Sequence, residues 1–133
     1  MKKKQAEKSR RILAAEQQFH RIEQWKLVDL ERHLADLDAM QVELIGALND
    51  TNALHGLFID ATARRLSSIA VEAERIGREK ETQSLKVKEH ARRVKICERL
   101  ALERELDFAR EKEGKELLDV VEQFVGRKPT SLP

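Results

Sequence analysis

Tyrosine is absent, and one tryptophan with four phenylalanines supplies every aromatic side chain of the 133 residues. With aromatics at 4% and charged residues at 38%, there is too little bulky apolar material for a thick core. The single cysteine, Cys97, excludes an internal disulfide, so nothing points to an oxidising compartment. No apolar run approaches the roughly 18 residues of a membrane span, and the lysines at the start precede no signal-like stretch. A cytoplasmic location is therefore expected.

Chemistry-bearing motifs are missing too. There is no Gly-rich phosphate loop, no His-Glu-x-x-His and no cysteine pair. His20, His33, His55 and His90 are scattered singly. His90 and Cys97 share a helical face, but two ligands do not make a zinc site. Carboxylates are plentiful, yet a solvated helix offers them no water-excluded pocket. The triplet Asn49-Asp50-Thr51 has the form of a glycosylation site, without meaning in a cytosolic chain. No catalytic residue, cofactor or metal is expected, and the protein is read as a non-enzyme.

What is present is helix-forming material. Ala, Glu, Lys, Arg and Leu make up roughly half of the chain or more, the signature of long helices and coiled coils. The 26 basic and 24 acidic residues nearly cancel, which argues against a nucleic-acid partner. Only the start is one-sided: Lys2, Lys3, Lys4, Lys8, Arg10 and Arg11 face Glu7 alone. That segment reads as a solvated terminus or as a contact for an acidic partner or membrane surface.

Periodicity sets the elements. Leu27, Leu30, Leu34, Leu37, Gln41, Leu44 and Leu48 step by three and four, with Gln41 the one polar member. Upstream, Ile12, Ala15, Phe19 and Ile22 do the same one residue out of phase, which predicts a local change of supercoiling near Trp25. The first helix is expected over about residues 4–48. Asn49, Asp50, Thr51 and Asn52 favour a turn and Gly56 follows, so a hinge is expected at 49–56, with Asp50 or Asn52 capping the next helix.

The second helix, expected over about 57–125, shows Leu66, Ile69, Ala73 and Ile76, then Lys80 and Gln83 in apolar positions, then Val87, His90, Val94 and Cys97. The polar members either specify register or loosen the seam so that it can bend. Leu102, Leu106, Ala109, Leu117, Val120, Val121 and Phe124 form a C-terminal stripe. Gly126 is a candidate left-handed C′ residue, and Pro129 a stop within a 126–133 tail. The fold class expected is all-α: two long helices in one antiparallel coiled-coil hairpin, the second longer than the first. A first helix of about 65 Å would pair only as far as about Leu100, leaving the C-terminal stripe without an internal partner.

The second helix opens Leu57-Phe58-Ile59-Asp60 and continues to Leu66 and Ile69, and the chain closes Val121-Glu122-Gln123-Phe124-Val125-Gly126-Arg127-Lys128-Pro129. In these stretches, and in its basic start and polar hinge, the chain resembles the FliJ family of flagellar export proteins and, more distantly, the YscO-like proteins of type III secretion. Thr62 departs from the leucine the family tends to carry there. The resemblance implies a stalk that enters a hexameric export ATPase and touches the export gate protein FlhA, with export chaperones as further partners and peripheral association at the cell membrane. Phe58, Leu66 and Ile69 would be the gate contacts. Leu117, Val120, Val121, Phe124, Arg127 and Lys128 would form the ATPase end. The alternative from the residues alone is a generic coiled-coil scaffold or adaptor that forms homo- or hetero-oligomers.

Overall fold

The computed structural model describes residues 1–50 and 56–127, leaving aside the side chains of Asp50, Leu57 and Arg127. The fold is all-α. Helix α1 spans Lys2–Asp50 and α2 spans Gly56–Arg127, so the second is the longer, 72 residues against 49. No proline interrupts either helix, because both prolines lie at positions 129 and 133. Helix α1 runs two residues further at each end than the sequence predicts, and α2 one residue further at its start and two at its end. Asn49 and Asp50 belong to α1 and Gly56 opens α2, while the rest of the expected hinge lies outside the described residues. Gly126 is helical and no described glycine has a positive φ, so the left-handed C′ assignment is corrected. Pro129 lies outside the described residues.

Where the sequence is read as one continuous antiparallel domain, the packing falls into two compact units, residues 19–91 and residues 1–18 with 92–133. In the first, the two helices run antiparallel: Phe19 meets His90, Glu23 meets Gln83 and His33 meets Glu72. Its apolar centre is Leu37, Ile69 and Ile76, each 3–5% exposed, with Leu30, Leu34, Leu44 and Ala73 packed around them. These residues recur at three- and four-residue steps on both helices, the spacing that keeps one side of each helix on its partner. The seam read from Leu27 to Leu48 and from Leu66 to His90 is thus the seam observed.

Residues 20 and 23 correct the expected phase change. The side chains turned inward ahead of Leu27 are Glu23 and His20, which keep the same step, whereas Phe19, Ile22 and Trp25 are exposed. The register does not break near Trp25. A one-residue slip would turn the helix by about 100°, and the leucine seam just downstream holds it in place.

In the other unit the inward residues are Ala6, Ser9 and Leu13 on α1 and Val94, Cys97, Ala101, Arg104 and Phe108 on α2. Ala6, Ser9 and Ala101 are buried, and small side chains of this kind let two helix backbones approach closely. Gln5 accepts a hydrogen bond from Arg104 (3.0 Å), and Arg10 pairs with Glu105 (2.8 Å). Ile12 and Ala15, expected in the seam, are exposed beside it. The first turn of α1 holds no acidic residue and three lysines, which the positive end of the helix dipole disfavours. Ala6 and Ser9, buried within the next two turns, supply packing near that end.

Candidate functional site

Three surfaces of the described chain bear on function: a polar layer inside the 19–91 unit, the start of α2, and the C-terminal part of α2.

The polar layer is built by Gln83, which is 7% exposed and sits in the seam between Ile76 and Val87. Its side-chain amide donates to the backbone carbonyl of Glu23 (2.9 Å) and also to the Glu23 carboxylate. Lys26 pairs with the same carboxylate from one turn away (3.4 Å). The Gln83 amide is the chief cause of a Glu23 carboxyl held below its ordinary value; burial opposes it, and Lys26 and Lys86 reinforce it. Both polar groups of this layer are satisfied, so the layer specifies which residues meet across the seam. It offers no reactive chemistry. Among the described residues no group of three or more His, Cys, Asp or Glu stands close enough to hold a metal ion.

The start of α2 carries the residues that the resemblance assigns to an export gate. Phe58 is 43% exposed and Leu66 is half-buried. Ile69 is 5% exposed and belongs to the apolar centre with Leu37. This placement corrects Ile69 as an accessible contact: its surface is already spent against α1. Thr62, at the resemblance's leucine position, is buried too. Its hydroxyl donates to the Phe58 carbonyl (2.8 Å), so the polar atom is satisfied within its own helix.

The C-terminal part of α2 is different in kind. Pairing with α1 reaches further than the expected limit at Leu100, because Met1 and Lys3 line one shallow groove with Phe108, Glu111, Lys112 and Lys115. The overhang is therefore shorter than about 25 residues and begins after Lys115. Leu102, Leu106 and Ala109, expected to share its stripe, are exposed on a flank of the paired stretch. From Lys112 to Gly126 every side chain is exposed. Leu117, Val120, Val121 and Phe124 all lie here, and Phe124 is 70% exposed. Leu118 and Val125, which stand outside the stripe expected from the sequence, are exposed as well. They stand one residue after Leu117 and Phe124, and so widen one apolar face to Leu117, Leu118, Val121, Phe124 and Val125. The signal for them was available in that i, i+1 doubling. Lys128 lies outside the described residues, as does the side chain of Arg127.

No family model, no curated protein and no solved structure matches this chain. Its function must be read from the surfaces themselves. Among the described residues no helix is long and apolar enough to cross a membrane.

Proposed function

We propose that this protein is a non-enzymatic coiled-coil stalk of the flagellar or type III protein-export apparatus. The observation that carries this reading is the stretch from Leu117 to Val125, where six apolar side chains stand exposed to water. An isolated helix of about 15 residues is marginal in water, and an apolar face of this width calls for a covering surface. The resemblance to the FliJ family names that surface as the interior of a hexameric export ATPase. Leu117, Val120, Val121 and Phe124 then make the contact, with Arg127 and Lys128 beyond them.

The protein hydrolyses nothing in this reading. It favours one arrangement of the ring by contacts that differ between subunit states. Phe58 is the exposed residue through which α2 touches the gate protein FlhA, flanked by half-buried Leu66. Export chaperones are further partners, and the working location is the cytoplasmic face of the cell membrane.

The test is co-sedimentation of the full chain with the hexameric export ATPase encoded in the same genome, together with its ATP turnover. Binding and a changed turnover are expected. Both should be lost in a Leu117→Asp, Phe124→Asp variant whose helical circular dichroism is unchanged. Absence of binding by the unaltered chain defeats the reading, and a tight homodimer in ultracentrifugation would then favour the scaffold alternative.

A further inference from the structure

A second heptad stripe runs along α1 within the 19–91 unit, on the side turned away from α2. Trp25, Val28, Arg32, Ala35, Ala39, Val42 and Gly46 step by three and four without a break. This is the same repeat as the internal seam, displaced by about 150° around the helix. Side chains on it are exposed: Trp25 is 66% and Val42 64% accessible, and Val28, Ala35 and Ala39 are exposed with them. Arg32 is its only charge.

The borders of the stripe carry one sign. Asp29, Asp36 and Glu43 repeat every seven residues along one edge, and Glu31 and Asp38 do so along the other. All five are exposed. Between Leu27 and Asp50 the only fixed cation is Arg32, in a chain whose overall charge is +2. An apolar stripe between two rows of like charge is how one strand of a coiled coil presents itself to a strand of opposite charge. Ala35 and Ala39, one turn apart, leave room for close approach, and Trp25 supplies the large anchor that interfaces favour.

The geometry points to a docking surface for a third helix, supplied by another protein, with apolar residues at three- and four-residue spacing flanked by lysine or arginine. Its occupant is fixed by charge complementarity: an acidic-flanked helix would be repelled along both edges. This surface is independent of the C-terminal part of α2, so it stands or falls apart from the export reading.

Trp25, as the only tryptophan, reports directly on its own site. The probes are two synthetic heptad peptides with leucine at the seam positions, one with lysine and one with glutamate at every flanking position. Each repels itself, so neither pairs strongly with its own kind. The full chain is titrated with each peptide while tryptophan emission is followed. The lysine peptide should shift the emission to the blue, more weakly as salt is raised; the glutamate peptide should not. Val42→Asp, at an exposed position that leaves the helix content unchanged, should weaken binding by about tenfold or more. The triple variant Asp29→Lys, Asp36→Lys, Glu43→Lys should lose the preference for the lysine peptide. The proposal is overturned if the lysine peptide leaves the emission unmoved, or if both peptides shift it equally. A red shift on diluting the chain alone also overturns it, because a second copy then occupies the stripe.

Discussion

Replacing Ile69 by alanine separates a core role from a partner role at one residue. Ile69 is 5% exposed and meets Leu37 and Ile76, so the substitution removes three buried carbons from the centre of the 19–91 unit. At ~0.8 kcal/mol per buried carbon the transfer loss is about 2.4 kcal/mol. Two corrections follow. Ile69 itself keeps some exposure and no large described side chain is completely buried, so water and neighbours can close on the gap and the cavity contribution is small. Alanine is also the better helix former, by roughly 0.4 kcal/mol. The net loss is about 2 kcal/mol. With a urea slope of roughly 1–2 kcal/mol per molar, the unfolding midpoint should fall by about 1–2 M, followed by far-ultraviolet circular dichroism. Phe58→Ala, at an exposed position, should move it by less than about a quarter of that. Equal midpoints for Ile69→Ala and the unaltered chain would refute the burial reasoning and return Ile69 to the list of accessible contacts.

The polar layer gives a pH prediction. The folded Glu23 carboxyl sits below its unfolded value of 4.5, so its contribution is complete above that value and is lost as pH falls through the folded one. Thermal midpoints measured downward from pH 5 should therefore fall less steeply in Glu23→Gln than in the unaltered chain. Gln83→Leu removes the main cause of the lowering, so NMR titration should place the Glu23 carboxyl closer to 4.5. The same variant should raise the thermal midpoint, because the carbonyl of Glu23 keeps its own helical hydrogen bond and a leucine joins the seam. Arg10→Ala should cost less than about 1 kcal/mol by urea unfolding, since Arg10 and Glu105 are both well exposed despite their 2.8 Å contact.

Where the apolar repeat and the seam coincide, the sequence was a faithful guide. Leu27 to Leu48 and Leu66 to Cys97 were legible residue by residue, including the polar members Gln41, Lys80 and Gln83. Legibility failed at Phe19 and Ile22, and again at Leu102 and Leu106, for one physical reason. Hydrophobic identity marks these residues, whereas the helices follow continuity of register. Once Leu37, Ile69 and Ile76 lock the pairing, residues three and four steps away are carried inward whatever their polarity, and His20 and Glu23 are carried with them. The exposed face at Leu117–Val125 was partly legible, because doubled apolar residues stand out even without a partner. The stripe from Trp25 to Val42 was not recognised, since alanine and one arginine dilute its periodicity; its acidic borders were the stronger mark.

Beyond its apolar centre, part of the polarity of the 19–91 unit runs opposite to what internal stability alone would favour. His20, Glu23, Lys80 and Gln83 occupy inward positions, while Phe19, Ile22, Trp25 and Val42 stand outside. Exchanging the two sets would bury more apolar area and tighten the pair of helices. It would also strip the outer faces of the side chains that can bind anything by apolar contact, and remove the Gln83–Glu23 layer that fixes register. A pair of helices that keeps some apolar residues on its outside and a few polar ones in an otherwise apolar seam has less internal stability and more surface to offer. Under the proposed reading, that allocation suits a protein that works through helix-to-helix contacts, with the polar layer at Gln83 setting register inside and the stripe at Trp25 offering surface outside.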